Sequence, residues 1–204
     1  MSTILPFSEA CERNKDPILD VLHDHFSSIE TVLEIGSGTA QHALHFARSQ
    51  SHLSWQCSDQ KQYLPGISAQ LGIAKLSNLL PPIEIDVRSE RWLARPSYFD
   101  LVYTANTFHI MSSSVVESFF NGINQIAASN CILVVYGPFK YHGEFTSPSN
   151  ERFDVSLRSR GEGSSIKDFE WVDSLAQNCG FKLFDDHTMP ANNQCLIWKK
   201  QSTI

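Results

Sequence analysis

The sequence has few features of a membrane, secreted or nucleic-acid-binding protein. No apolar run approaches the roughly 18 residues of a membrane span, and the first residues lack the basic end and long apolar core of a signal peptide. Positive charge is also scarce, because 16 Lys and Arg stand against 22 Asp and Glu and form no basic stripe to neutralise phosphates. We therefore expect a cytoplasmic protein that binds neither a membrane nor a nucleic acid.

The cysteines and histidines follow no metal or disulfide pattern. The five cysteines are widely scattered and form no C-x-x-C pair, and the eight histidines lack metal-ligand spacing. Scattered cysteines of this kind are typical of small core residues in a reducing compartment. We expect no metal site and no disulfide framework.

A glycine turn that lacks the third glycine of a pyrophosphate site follows the first predicted strand, Thr31–Ile35. Gly36 and Gly38 let backbone N–H groups approach a ligand closely. Gln41 stands where the pyrophosphate fingerprint has its third glycine, and a carboxylate at Glu34 would repel a pyrophosphate. The charge favours a cationic ligand, and S-adenosylmethionine carries an ammonium and a sulfonium but no phosphate.

The turn resembles the first motif of class I S-adenosylmethionine-dependent methyltransferases. The resemblance rests on Glu34-x-Gly36-x-Gly38, with Ala40 in place of the commoner third glycine. It implies the class I fold, S-adenosylmethionine as cofactor and S-adenosylhomocysteine as product. A purely structural glycine turn is the alternative that this motif alone leaves open. The cofactor contacts expected around the turn are Glu34, Gly36, Ser37, Gly38, Gln41 and His42.

An acidic residue ends each of the next two predicted strands. Residues 53–57 alternate between apolar and polar and predict a strand that ends at Asp59. Its carboxylate could accept both hydroxyls of a ribose diol, and it could also cap the next helix. A third strand is predicted over residues 83–87. In class I methyltransferases an acidic residue here accepts from the adenine amine and the next N–H meets a ring nitrogen, so the resemblance implies these contacts for Asp86 and Val87.

The exit from the fourth predicted strand, Phe99–Ala105, is the expected methyl-transfer side. It adjoins the glycine turn at the switch point of the sheet, so Asn106 and His109 should face the transferred methyl. Both are predicted catalytic residues, with Asn106 also a cofactor contact and His109 the general base. A capped loop before the next helix is the alternative. Weaker candidate bases follow the fifth strand, namely Tyr141, His142 and Glu144.

The order of predicted elements indicates one methyltransferase-like domain over residues 1–204. We expect an α/β fold with a doubly wound, Rossmann-like sheet of seven strands, the last of them antiparallel. A helical segment is predicted at about 7–26 and an insertion at about 140–165. An insertion after the fifth strand could cover the acceptor side of the site.

Local signals also predict where helices begin. Asp16 is predicted to cap a helix whose first residue is Pro17. The polar residues 9–15 before it are then either a solvated turn or a lid over the site. The helix after the glycine turn is expected to begin at about Thr39, and the helix after Asp59 to be interrupted by Pro65-Gly66.

Several stretches together are similar to an uncharacterised methyltransferase-like family of bacteria and animals. These stretches are residues 7–15, 34–42, 136–139, 147–150 and 189–193. The resemblance implies that polar residues in these loops line the site. We expect Arg13 and Asn14 to contact the cofactor, and the expected substrate contacts are Tyr136, Pro138, Asn150, Asn192 and Asn193.

The predicted function is methyl transfer from S-adenosylmethionine to a small-molecule acceptor. The sequence lacks the Asn-Pro-Pro-Tyr run typical of enzymes that methylate exocyclic or amide nitrogens, and it lacks a Pro-Cys pair for attack on a pyrimidine. Two alternatives stay open. One is a catalytically silent S-adenosylmethionine-binding or interaction protein, and the other is an NAD-dependent oxidoreductase, against which Gln41 and Glu34 count. The acceptor and the oligomeric state are not predicted.

Overall fold

The computed structural model describes residues 5–93, 97–160 and 163–201. Its strands are β1 Thr31–Ile35, β2 Ser54–Asp59, β3 Leu79–Glu84, β4 Phe99–Ala105, β5 Ala127–Gly137, β6 Phe139–Tyr141, β7 Glu144–Phe145, β8 Lys167–Asp168, β9 Phe181–Met189 and β10 Asn193–Lys200. Seven of them form one sheet in the order β3-β2-β1-β4-β5-β10-β9, and β10 is antiparallel to both of its neighbours. The predicted α/β sheet of seven strands with an antiparallel last strand is confirmed.

Helices cover both faces of this sheet. They are α1 Glu9–Phe26, α2 Gln41–Ser49, α3 Leu64–Ala74, α4 Ser113–Ile126, α5 Pro148–Arg160 and α6 Phe169–Asn178. A small sheet, β7-β6-β8, follows β5 and lies beside α5 and α6 in the chain. Within the described ranges, no helix combines the length and the apolar character needed to cross a bilayer.

Two apolar clusters, one on each face, hold the helices to the sheet. Successive residues of β4 alternate between them, so Leu101 and Tyr103 pack with α1 and α2 while Val102 packs with α4 and α6. On the first face, Phe26 of α1 and Phe46 of α2 meet Trp55 of β2, with ring centroids 6.3 and 5.5 Å from the indole. These aromatic contacts fix α1 and α2 against the strands that end at the glycine turn.

The first helix, α1, lies within the helical segment predicted at about 7–26, but it begins eight residues before Pro17, its predicted first residue. Ser8 is the N-cap and its hydroxyl accepts a hydrogen bond from Cys11 N, while Pro17 lies inside α1. The predicted start at Pro17 was therefore wrong, and residues 9–15 are helical rather than a turn. Ser8 is an effective cap and Glu9 and Glu12 are favourable in the first turn, so the earlier start is supported by local energetics.

Three other boundaries also differ from the prediction. Pro65 does not interrupt α3 but lies in its first turn, where a missing N–H costs no helical hydrogen bond. The α2 helix begins at Gln41 rather than about Thr39, because Ala40 adopts a left-handed conformation with φ 58°. The third strand ends at Glu84, so Asp86 lies in the loop beyond it rather than at its end.

Candidate functional site

A cavity lies at the C-terminal edge of the parallel strands. Its volume is about 550 Å³, within the roughly 300–1,000 Å³ typical of small-molecule sites. Its walls are formed by residues that follow β1, β2, β3 and β4, together with the start of α1 and the beginning of α4. Open parallel sheets bind ligands at this edge. The cavity is therefore the candidate functional site.

The predicted site residues divide into two groups by position. Those that line the cavity are Gly36, Ser37, Gly38, His42, Asp59, Val87 and Asn106. Those outside its lining, as far as the described part of the chain shows, are Arg13, Asn14, Glu34, Gln41, Asp86, His109, Tyr136, Pro138, Asn150, Asn192 and Asn193. The predicted residues nearest the strand ends thus line one cavity. Most of the predicted residues in more distant loops lie outside its lining.

The glycine turn depends on the backbone freedom of its first glycine. Gly36 has φ +73°, and a Cβ at this position would lie 2.8 Å from Thr107 Cγ2. Gly38 also has a positive φ, of +53°. These glycines allow the chain to reverse tightly between β1 and α2 while the backbone forms the cavity floor.

The N–H groups of this turn are already hydrogen-bonded inside the protein. Gly36 N and Ser37 N donate to Ser58 O at 3.0 and 2.9 Å. Gly38 N donates to the Asp59 carboxylate at 2.8 Å. A pyrophosphate site needs free backbone N–H groups that can donate to the phosphate oxygens. Here the Asp59 carboxylate already accepts from one of these N–H groups. The arrangement therefore disfavours a dinucleotide.

Asp59 is held at the cavity wall by two backbone donors. Its Oδ2 accepts from Gly38 N, and its Oδ1 accepts from Gln60 N at 2.7 Å. Burial raises the pKa of Asp59, an effect that these two N–H groups oppose. Each carboxylate oxygen can accept a further hydrogen bond, so Asp59 can both hold the turn and bind a ligand hydroxyl.

Glu34 lies behind the glycine turn. Its Oε2 accepts from Trp55 Nε1 at 3.2 Å and lies 3.8 Å from Cys57 Sγ, among side chains that face α1 and α2. Burial is the main cause that raises the pKa of Glu34 to about 7. Its contact with a cofactor stays a prediction, and its surroundings favour a protonated carboxyl below neutral pH.

On the adenine side of the predicted site, Val87 lines the cavity and Asp86 lies next to it in the chain. Asp86 Oδ1 accepts from Arg88 N at 3.0 Å and from Arg88 Nε at 2.9 Å. These bonds to Arg88 lower the pKa of Asp86, so its carboxyl is an ionised acceptor. Arg88 itself also lines the cavity.

The two predicted catalytic residues occupy different environments. Asn106 lines the cavity in a left-handed conformation with φ 58°, and its N–H donates to Tyr136 O at 2.8 Å. His109 is buried, with its ring 5.3 Å from that of Phe153. Burial and the positive charge of Lys167 lower the pKa of His109 to about 4. The exit from β4 thus directs Asn106, but not His109, to the cavity wall.

Gln41 connects the start of α1 to the glycine turn. Its Oε1 accepts from Ser8 N at 2.7 Å and from Thr39 Oγ1 at 2.9 Å, and its Nε2 donates to Glu12 at 3.1 Å. Ser8 therefore lines the cavity together with Cys11, its hydrogen-bond partner in the helix cap. Gln41 positions α1 as one wall of the site. Arg13, on the same helix, is exposed and lies 3.8 Å from Glu9.

A buried polar group joins α1, α2 and the end of β5. His42 Nε2 and Asn14 Oδ1 are 2.7 Å apart, and both residues are buried. Burial raises the pKa of the Tyr136 hydroxyl, and the side chains of Asn14 and Asn193 oppose this effect. Of the predicted contacts outside the lining, Asn14 is thus joined directly to His42 at the cavity wall.

The other predicted substrate residues lie further along the same side. Asn150 Nδ2 donates to Asn192 O at 2.8 Å, and Asn192 Nδ2 donates to Ser149 Oγ at 3.0 Å. These bonds join α5 to the turn between β9 and β10. Pro138 is buried between β5 and β6. Of the weaker candidate bases, Tyr141 donates its hydroxyl to Asp186, and His142 lies 3.1 Å from Glu170. Glu144 is exposed.

Sequence reasoning missed several cavity residues. Cys11 was assigned to the core, and the structure places it at the cavity wall beside Ser8. Tyr63 and Ile110 also line the cavity and are more than half exposed. The position of Cys11 had a sequence signal, because Ser8 is a good N-cap and Cys11 follows it in the first turn of the helix. Exposed apolar residues at a cavity mouth carry no such sequence signal.

Comparison with solved structures identifies the fold. An O-methyltransferase family protein from Burkholderia thailandensis superposes with a TM-score of 0.82 at 13% identity, covering 96% of this chain and 59% of that protein. Human N-acetylserotonin methyltransferase, solved in complex with S-adenosylmethionine, superposes with a TM-score of 0.79 at 12% identity, covering 95% of this chain and 53% of that protein. The chain thus spans somewhat more than half the length of these proteins, and it shares their class I methyltransferase fold.

A family model extends over nearly the same length as these superpositions. It matches residues 5–200, which include the cavity, both faces of the sheet and the terminal hairpin. Its description is "protein of unknown function (DUF938)". The chain, a protein with the class I methyltransferase fold, belongs to this DUF938 family.

Proposed function

We propose that this protein is an S-adenosylmethionine-dependent methyltransferase that acts on a small-molecule acceptor. The observation that carries the proposal is the state of the glycine turn. Its N–H groups are engaged by Ser58 O and by the Asp59 carboxylate, and that carboxylate lines the cavity. Such a wall suits a ligand that offers hydroxyls and positive charge and has no phosphate. The shared fold adds support.

The proposed cofactor contacts follow the cavity wall from adenine to methyl. Asp86 and Val87 would hold the adenine, and Asp59 would hold the ribose hydroxyls. Gly36 and Gly38 would let the backbone approach the cofactor closely. Asn106, which lines the cavity, would lie on the methyl-transfer side. Arg13 and Asn14 of α1 remain proposed partners of the cofactor's carboxylate. Residues Tyr136, Pro138, Asn150, Asn192 and Asn193 remain the proposed acceptor side.

When bound, S-adenosylmethionine supplies a methyl group on a sulfonium, which reacts by in-line displacement. The chain's main task is therefore to align the acceptor and exclude water. Gln41 fixes α1 over the turn through Ser8 and Glu12, which gives the site a rigid wall on that side. An S-adenosylmethionine-binding protein without catalysis would share this binding wall and differ only in transferring no methyl group.

The first prediction concerns the choice of cofactor. Isothermal titration calorimetry should show binding of S-adenosylmethionine or S-adenosylhomocysteine and no binding of NAD, because the turn offers a carboxylate where a pyrophosphate would need free N–H groups. Tight NAD binding without any response to S-adenosylmethionine would contradict the proposal. Binding of S-adenosylmethionine without methyl transfer would favour the silent binding protein.

The second prediction concerns Asp59. Asp59→Ala should weaken S-adenosylhomocysteine binding by about 1–3 kcal/mol, the usual loss for hydrogen bonds to a charged group. A moderate fall in melting temperature is also expected, since Gly38 N and Gln60 N lose their acceptor. Calorimetry and thermal unfolding measure the two effects separately.

Asp100→Ala is the matched control for Asp59→Ala. Asp100 also accepts backbone N–H groups, from Glu30 at 3.0 Å and from Thr31 at 2.9 Å, but it lies at the opposite end of the sheet. This variant should lose stability and keep its affinity for S-adenosylhomocysteine. Equal affinities of wild type and Asp59→Ala would mean that Asp59 serves the turn alone.

A further inference from the structure

The cavity wall contains few groups that could accept a proton. Among the described residues, the titratable side chains that line it are Cys11, His42, Asp59, Tyr63 and Arg88. His109, the base predicted from the sequence, is not one of them. Burial raises the pKa of the Cys11 thiol, so it is protonated near neutral pH. A tyrosine or an arginine must lose its own proton before it can take another.

Asp59 is also a poor proton acceptor in this wall. Both of its oxygens already accept backbone N–H groups of Gly38 and Gln60. Protonation of its carboxyl would weaken the bonds that hold the glycine turn. His42 is the remaining group, because a neutral imidazole always has one nitrogen with a free lone pair.

The surroundings of His42 fix the orientation of its ring. One face stacks on Phe46, with ring centroids 5.7 Å apart and planes 19° apart, and the edge of Tyr103 lies at 5.7 Å. Asn14 Oδ1 lies 2.7 Å from Nε2. An amide oxygen can only accept, so Nε2 donates its proton to Asn14 and the lone pair is on Nδ1.

The charges around His42 favour its neutral form. Burial, with the positive charges of His45 on α2 and Lys15 on α1, lowers the pKa of His42 to about 4. On β4 the neighbouring group is Tyr103, whose pKa is raised well above its usual range by burial and by Glu34. His42 is therefore neutral at neutral pH and keeps a lone pair to which a proton can move.

We propose that His42, rather than His109, accepts the proton that the acceptor loses during methyl transfer. This inference rests on the proposed function and assigns His42 to the acceptor rather than to the cofactor. The acceptor's O–H or N–H heteroatom forms the new bond to the methyl carbon, and the broken C–S bond leaves its electron pair on sulfur. The acceptor's proton moves to His42 Nδ1, so the positive charge passes from the sulfonium to the imidazolium and then leaves with the proton to solvent.

Nuclear magnetic resonance of histidine-labelled protein tests the resting state of the base. The His42 signals, assigned with His42→Gln, should show the tautomer protonated at Nε2 and a titration midpoint well below that of free histidine. Asn14→Asp should raise this midpoint, because a carboxylate next to Nε2 stabilises the imidazolium. A tautomer protonated at Nδ1 would contradict the proposal, since no lone pair would then remain on that nitrogen.

Methyl transfer tests the role itself, with labelled S-adenosylmethionine and deproteinised cell extract as the acceptor probe. His42→Gln should lower the rate of labelling by ~10²–10⁴-fold, the usual contribution of a positioned base, with S-adenosylhomocysteine affinity nearly unchanged. Asn14→Asp, assayed at saturating S-adenosylmethionine because Asn14 is also a proposed partner of the cofactor's carboxylate, should shift the acidic limb of the pH–rate profile to higher pH. The control is His52→Gln, a histidine outside the site whose Nε2 contacts Phe26 O at 3.0 Å, and its rate should match wild type.

The outcomes separate this inference from the proposed function. Wild-type rates in His42→Gln, or an unmoved acidic limb in Asn14→Asp, would contradict the role of His42 while leaving methyl transfer established. A wild-type protein that binds S-adenosylmethionine but labels nothing in the extract would contradict the proposed function, and the base with it.

Discussion

Gly36→Ala is expected to destabilise the protein by about 2–5 kcal/mol and to remove measurable binding of the proposed cofactor. Gly36 has φ +73°, and the left-handed conformation costs an L-residue roughly 1–2 kcal/mol. The added methyl would also lie only 2.8 Å from Thr107 Cγ2, and overpacking of this kind costs about 1–3 kcal/mol. Both residues line the cavity, so relief of the clash must move its wall.

Thr107 has little freedom to move away from such a methyl. It is buried, and its hydroxyl lies 2.7 Å from Thr104 Oγ1. Thr104 Oγ1 itself donates to Ile35 O at 2.8 Å, so Thr107 must be the donor of the pair. A rotation of Thr107 would leave a buried hydroxyl without its partner, which costs about 1–3 kcal/mol. The strain is therefore expected to fall on the glycine turn.

Urea unfolding and calorimetry with S-adenosylhomocysteine measure the two effects of Gly36→Ala. Gly72→Ala is the matched control, because a Cβ at residue 72 in α3 would meet nothing within 4 Å. Alanine in a helix is favoured over glycine by about 0.5–1 kcal/mol, so this control should be unchanged or slightly more stable. Wild-type stability and binding in Gly36→Ala would show that the turn tolerates a side chain.

The strands of the central sheet could be predicted because they are short apolar runs between strong turn signals. The bounds of β1 and β4 agree with the prediction, and each run ends where Gly36 or Asn106 adopts a positive φ. The predicted start of α1 was wrong because the sequence contains two N-cap signals, Ser8 and Asp16. Asp16 before Pro17 is a strong local signal, but Ser8 caps a longer helix, and the hydrogen bond from Ser8 N to Gln41 holds its start against the glycine turn.

The residues that form the floor of the candidate site could be predicted from the sequence, and those that form its walls could be predicted less well. Gly36, Gly38 and Asp59 follow directly from strand ends, since the C-terminal ends of parallel strands share one edge of the sheet. The face of the sheet on which the Glu34 side chain lies follows instead from the alternation of side chains along β1. Val32 packs toward α1 and α2, so Glu34, two residues later, shares that face. Whether His109 faces the cavity depends on the path of the chain after Asn106, which no local pattern specifies.

Glu34→Gln is expected to make the protein more stable than wild type at alkaline pH by up to about 3 kcal/mol. Burial raises the pKa of Glu34 from 4.5 to about 7 in the folded protein. The folded state thus holds a proton that the unfolded state has released, and stability falls as pH rises between these values. The contribution of the neutral carboxyl is complete below pH 4.5 and is lost above about pH 7.

Glutamine keeps the acceptor for Trp55 Nε1 and does not ionise, so its variant should lack this loss of stability. Urea unfolding at about pH 4 and about pH 8 gives the change for each protein. Glu84→Gln removes an exposed carboxyl at the end of β3 and should keep the pH dependence of wild type. A parallel fall of wild type and Glu34→Gln would mean that Glu34 ionises without cost in its buried position. Its negative charge would then be available to a cationic ligand, as the sequence alone suggested.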